Sequence, residues 1–415
     1  MLRPLAGIEK AFAHPLFPEW MNLAIKFTDP KYVGKTLSNF RKIFVGLRTK
    51  VEDEKYIRTT DATVQKLPNY IQDCRTACEW IAKNHMPKIT ERLATIAAND
   101  HIIVVNSSHA LSDSGFLIDA INHALDDNIK EPDFPIPTHD AFKPELEQAE
   151  RVKPKLYPYN QCSHYIINMS DPHLAPKHIK PFPMDDRIPA EKLQCYVSKA
   201  KRPKSLTEAL STAISLTLNA YGNRPDAPLA LPIIFDLRRF IDPSRVGWNF
   251  GNCVSGPSIY AMQKENSTIS DIYKMFRKSL TGLMNDGIFY GVEHYPYISD
   301  PYKMHSILSN LGPVKFKHPI VDLEIMSIPD LDDSFGIDPS QAGASIGFFS
   351  YSKVSPNKNI ICNTFRFQPN IMTRETAEVF KQSIHYFLTQ IPADTKYKEA
   401  YNAMKNFQEK VVKEF

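Results

Sequence analysis

Apolar positions recur at helical spacing in two early stretches, residues 36–44 and 69–84, and in the second Ile71, Cys74, Cys78 and Ile81 fall on one face. Residues 101–106 form a short run rich in Ile and Val, which predicts a buried strand, and residues 116–125 return to helical spacing. The periodicity then fades between 131 and 190, where 11 of the 32 prolines fall. Proline fixes φ and cannot continue either kind of ladder, so this stretch reads as an extended crossover between two lobes, 1–175 and 176–415. Beyond it, Ser205-Leu206-Thr207-Glu208 has the form of a capping box opening a helix with Leu206, Ala209, Leu210, Ala213 and Ile214 on one face and Gly222 at its end. Residues 231–237, 345–349 and 359–367 read as strands, and 376–389 as a late amphipathic helix. Each half mixes α and β, and no repeat of 20–50 residues is visible.

Composition narrows the class. A chain of 415 residues with 43% apolar content can fill two to four cores. Its 50 basic and 46 acidic residues leave +4, too little for a nucleic-acid footprint or a polybasic membrane anchor. No apolar run approaches the roughly 18 residues of a membrane span, and Met1-Leu2-Arg3-Pro4-Leu5 does not open a secretory signal. The expected location is cytoplasmic, with peripheral contact to a membrane such as the endoplasmic reticulum or a lipid droplet. The six cysteines are scattered, as reduced thiols are; Cys74 and Cys78 stand one turn apart with nothing to complete a metal set.

Nucleotide motifs are missing. Gly34-Lys35-Thr36 resembles the end of a P-loop, but Asp29 stands where its first Gly belongs, and no G-x-G-x-x-G occurs. A G-x-S-x-G, residues 343–347, lacks the strand before and helix after that a hydrolase elbow needs. His-x-x-x-Asp occurs three times. His123/Asp127 reads as a solvated helix pair and His318/Asp322 lies in a strand-like stretch, but His109/Asp113 follows a buried strand and precedes a helix, in the small-residue loop Ser107-Ser108-His109-Ala110-Leu111-Ser112-Asp113-Ser114-Gly115. A His there can act as general base on an alcohol or amine. Asp113 either orients the imidazole or folds the loop through an Arg.

Ser108-His109-Ala110-Leu111-Ser112-Asp113-Ser114-Gly115 resembles the H-H-x-x-x-D-G motif of the chloramphenicol acetyltransferase-like superfamily. Leu47-Arg48-Thr49, Phe235-Asp236-Leu237-Arg238-Arg239, Gly251-Asn252-Cys253-Val254 and Ser309-Asn310-Leu311-Gly312-Pro313 resemble further elements of that superfamily in the same order. The nearest likeness is to fungal alcohol O-acetyltransferases and sphingoid-base N-acetyltransferases. Ser108 replaces the first His, Gly115 comes one place late, and the D-F-G-W-G of the plant enzymes is missing. Gly beside the Asp would supply a backbone conformation that Ser114 adopts less readily.

The resemblance implies an α/β fold of two lobes with the active site in a tunnel at their interface. It implies direct transfer from an acyl-CoA, with acetyl-CoA as co-substrate and no permanent cofactor, to a hydroxyl or amine of a small lipophilic acceptor. His109 is then the base, and Asp113 turns away to pair with an Arg, Arg48 as first choice and Arg238 as second. Asn310 and Asn252 each face the oxyanion or hold a turn, Lys315 and Lys317 are candidates for the CoA phosphates, and Trp248 and Phe250 line the acceptor side or the core. A condensation-type enzyme using a carrier-protein thioester and a non-catalytic binding protein on the same fold are the alternatives.

Overall fold

The computed structural model describes residues 2–13, 19–152, 184–240, 242, 251–286, 288–289, 305–329, 345–356, 358–367 and 373–415. Two sheets organise them. The first has five strands in the order Ile320–Pro329, Glu19–Phe27, Ile102–Ser108, Ala94–Ala98 and Gln65–Lys66, antiparallel except for the last pair. Its central strand Ile102–Ser108 is buried at every position, because helices cover both faces. Strand alternation divides the contacts: Ile102, Val104 and Ala24 pack with Ile71, Cys74, Cys78 and Ile81 on the side of helix Cys74–His85, while Ile103, Val105 and Ile25 pack with Phe40, Ile43, Phe116 and Leu117 on the other.

The second sheet runs Val254–Ser255, Leu229–Asp236, His305–Lys315, Ser345–Ser355, Lys358–Arg366 and Met184–Pro189, with Ser258–Ala261 also on Leu229–Asp236. Leu229–Asp236, His305–Lys315 and Ser345–Ser355 are parallel neighbours. Helices Leu206–Tyr221, Ile269–Asp286, Arg374–Gln390 and Tyr397–Val412 share a core with this sheet.

The lobes are not consecutive in the chain. Ile320–Pro329 leaves the second sheet's sequence and pairs along Glu19–Phe27. Phe349, Tyr351 and Cys362 of the second sheet pack into the core beneath the first, and the Tyr351 hydroxyl accepts a hydrogen bond from the Ile325 N–H at 3.2 Å. The division expected at 175/176 lies outside the described residues.

Two local expectations are corrected. Helix Leu206–Tyr221 is present, but Ser205 sits in the left-handed region at φ 58° and its side chain caps nothing. Glu208, instead of reaching back to Ser205, is buried and ion-paired with Arg277 of helix Ile269–Asp286. In the proline-rich stretch, residues 138–152 form two helices, Thr138–Ala141 and Lys143–Val152. Pro144 is in the first turn of the second, where its missing N–H costs nothing. Among the described residues no helix is long and apolar enough to cross a membrane.

Candidate active site

Strand Ile102–Ser108 delivers His109 to the junction of the two sheets. The His109 N–H donates to the Glu19 carbonyl at 2.7 Å, extending the pairing of Glu19–Phe27 by one residue. The loop then folds back on the strand end: the Leu111 and Ser112 N–H groups and the Ser112 hydroxyl all bond to the Ser108 carbonyl, and the Ser108 hydroxyl accepts from the Ala110 N–H at 3.3 Å. Ser108, in the place of the first motif His, thus serves the turn. The imidazole stacks on Phe12, centroids 3.9 Å apart and planes within 1°.

Asp113 faces away from that ring and is 1% exposed. It caps helix Ser114–His123 through the Phe116 N–H at 2.8 Å, accepts the Cys253 N–H at 2.6 Å, and takes Arg238 Nη1 on both oxygens at 2.9 and 3.0 Å. Arg238 also reaches Asp236 and the Gly251 carbonyl. Burial works against the guanidinium charge, but Asp113 and Asp236 hold its pKa above the ordinary value. Of the two arginines considered, Arg238 is therefore the partner. Arg48 is corrected: it pairs with Glu131 at 2.8 Å and donates to the Arg41 and Lys42 carbonyls, because the turn Val45–Arg48 that carries it follows directly on the C-terminal end of helix Lys31–Ile43.

Gly115 and Gly251 are explained by space. Neither has positive φ, so the late glycine does not strain Ser114. A Cβ on Gly115 would lie 2.7 Å from Arg238 Nη1 and from an Asp236 oxygen, and one on Gly251 would lie 2.6 Å from the Leu111 carbonyl oxygen.

Two cavities share His109, Ser114, Ile234, Val254 and Ser309. One, about 640 Å³, is lined by Phe12, Met21, Phe349 and the polar trio Glu19, Ser327 and Arg366. The other, about 1130 Å³, runs past Ile118, Phe235, Leu280 and Met284 with Asp236 and Arg239 along it. His109 stands where they join.

The remaining candidates separate. Asn252 donates to the His109 carbonyl at 2.8 Å and lies 3.5 Å from its Nδ1, holding the loop. Asn310 borders the larger cavity, but its amide donates to the Thr207 hydroxyl and its oxygen accepts the Gly312 N–H, the turn where Gly312 takes φ 74°. Both ends of that side chain are occupied by the fold. Lys315 and Lys317 are exposed and line neither cavity. Trp248 and Phe250 lie outside the described residues. Ser345 opens a strand, so it is not at a strand-to-helix turn. His123 pairs with Asp126, Asp127 with Lys35, and Asp322 with Lys353, so neither other His-x-x-x-Asp is a unit. Burial pushes the Cys253 thiol, next in the chain to Asn252, well above its ordinary pKa, which argues against it as a nucleophile.

The Glu19, Ser327 and Arg366 trio had no motif. Its signal was a charged residue at the end of each of two apolar strands, but 347 positions separate them and only the folded chain joins them.

No family model and no curated protein matches the chain. Solved structures do. Polyketide synthase associated protein 5 from Mycobacterium tuberculosis aligns over 94% of this chain and 98% of its own, with a TM-score of 0.61 and 14% identity. The starter condensation domain of rhizomide synthetase RzmA, solved as a mutant with C8-CoA and Leu-SNAC, aligns over 96% of each chain with a TM-score of 0.63 and 11% identity. The SgcC5 protein from Streptomyces globisporus covers 95% of this chain at 0.61 and 10% identity. The chain has the chloramphenicol acetyltransferase-like fold. The two-lobed α/β architecture of that fold is the one its sequence motifs implied, and the His109 loop lies between its two sheets.

Proposed function

We propose that this protein transfers an acyl group, acetyl first among them, from acyl-CoA to a hydroxyl or amine of a lipophilic acceptor. The reading rests on one observation: a histidine with its loop fixed at many points lines two adjoining cavities, which leaves room beside it for two substrates. His109 takes the proton as the acceptor oxygen or nitrogen attacks the thioester carbon. The tetrahedral intermediate collapses, the C–S bond breaks, and the CoA thiolate leaves with that proton. No covalent enzyme intermediate is needed. Asp113 and Arg238 hold the loop and Asn252 its carbonyl. A similar structure was solved with C8-CoA, which accords with an acyl-CoA donor. The motif likeness to fungal alcohol O-acetyltransferases and sphingoid-base N-acetyltransferases directs the choice of acceptors.

The test is CoA release from acetyl-CoA by the wild type and His109→Ala, with medium-chain alcohols and long-chain amino alcohols as acceptors and products identified by mass spectrometry. The wild type turns over at least one of them and His109→Ala loses roughly a hundredfold in kcat. Equal activity of the two proteins would remove His109 as the base. Turnover only with an acyl thioester on a carrier protein would favour the condensation-type reaction.

A further inference from the structure

A base that accepts a proton becomes an imidazolium, and in a partly buried site that charge needs a counter-charge. The motif carboxylate does not supply it. Asp113 is turned from the ring, its oxygens taken by Arg238 and by the Phe116 and Cys253 N–H groups. In the smaller cavity the acid is Glu19, whose own carbonyl receives the His109 N–H.

We infer that Glu19 is the positioning residue that balances the charge on His109, with Arg366 and Ser327 locking it in place. Arg366 Nη1 donates to Glu19 Oε1 at 2.5 Å and to the Ser327 hydroxyl at 2.8 Å, and that hydroxyl donates to the same carboxylate oxygen at 2.5 Å. The trio spans both sheets. Glu19 and Ser327 lie on adjacent strands of the first, and Arg366 ends a strand of the second, opposite Gly347. A Cβ on Gly347 would lie 3.2 Å from Arg366 Nε, so glycine leaves the guanidinium its place. Burial by itself would raise the Glu19 pKa, but Arg366, the charge His109 can carry and the Ser327 hydrogen bond hold it at about 2. The carboxylate is thus ionised throughout the working range.

Among the described residues, the other charged groups that the neighbouring elements bring are paired. The larger cavity brings Asp236 and Arg239, which are tied to one another, and Asp236 also to Arg238. The helix carrying Phe12 brings Glu9, bonded to Arg3. Arg366 lines the same cavity from the opposing sheet.

The inference rests on the acyltransfer reading for its purpose, but its physical content can be measured without turnover. The experiment is a histidine-selective NMR titration of the intact protein, with the His109 signal assigned by its loss in His109→Gln. In Glu19→Gln, which leaves Arg366 uncompensated beside the ring, the His109 midpoint moves down. In Arg366→Gln, which leaves the carboxylate alone, it moves up. The double substitution falls between, and His385, bonded to Asp186 in the second lobe, serves as control. In parallel, Glu19→Gln lowers kcat roughly tenfold with little change in KM and shifts the acid limb of the rate profile to lower pH; Glu19→Asp restores most of the rate. Midpoints that move together in both single variants, or stay put, overturn the inference. If Glu19→Gln does not fold, Arg366→Gln against the charge-conserving Arg366→Lys decides the same question, an upward shift in the first alone supporting the coupling and equal midpoints overturning it. A wild type that releases no CoA while the midpoints still part in opposite directions would sink the acyltransfer reading and leave the electrostatic coupling standing.

Discussion

At the scale of single residues, the site depends on groups that fix the His109 loop. Arg238→Ala removes the partner of a carboxylate that is 1% exposed and leaves it to two N–H donors, so we expect a loss of about 3–5 kcal/mol. The melting temperature falls, and kcat falls with it as the loop loosens. Arg48→Ala, which severs the Glu131 pair and two helix-end carbonyls away from the cavities, lowers stability but leaves kcat within about twofold. Glycines divide by the same logic. Gly251→Ala forces its Cβ against the Leu111 backbone and costs both stability and activity, whereas Gly282→Ala, in open space within helix Ile269–Asp286, raises stability by about 0.4–1 kcal/mol. Thermal melts of the four variants, with rates of the first three, separate these outcomes.

At the scale of elements, the decisive feature is strand Ile320–Pro329, which the second lobe lends to the first sheet. Its Glu324 is 1% exposed and meets Arg187 at 2.6 Å and Lys353 at 2.9 Å, both on strands of the second sheet. Burial would raise the Glu324 pKa, but those two cations lower it below the ordinary value. Glu324→Ala leaves two half-buried cations with only their outer partners, Asp185 and Asp322, and denaturant titration shows a loss of about 1–3 kcal/mol. Helices Cys74–His85, Ser114–His123, Leu206–Tyr221 and Arg374–Gln390 and strands Ile102–Ser108, Leu229–Asp236 and Lys358–Arg366 were legible because their apolar periods are clean, whereas helices Ile269–Asp286 and Tyr397–Val412 and strand Glu19–Phe27 were not read. How an element begins was less so. The capping box at Ser205 failed because Glu208 found Arg277 in the core, a partner that local spacing cannot reveal.

At the scale of the whole molecule, a shared strand, a shared core and ion pairs between sheets prevent either lobe from opening alone. Calorimetry gives one unfolding transition, where two independent lobes would give two. That stability depends on acid carboxylates. Glu19 and Glu324 have folded pKa values below their unfolded ones, so their contribution is fully present above about pH 4.5 and falls away in acid, that of Glu19 as the pH approaches about 2. Melting temperatures between pH 7 and pH 3 drop more steeply in the wild type than in Glu19→Gln, which has already given up one of these terms.

The sequence by itself determined the α/β class, the elements whose apolar period is clean, and the loop that holds His109, since these are written in short-range period and in residues within reach of one turn. It also narrowed the partner of Asp113 to two arginines. Only the tertiary structure chose between them, showed that glycine at 115 and 251 answers to crowding from distant side chains and backbone respectively, and brought Glu19, Ser327 and Arg366 together beside the base. Those contacts cross between sheets, join positions far apart in the chain, and depend on which side chains reach one low-dielectric junction. Neither period nor spacing along the chain encodes that directly.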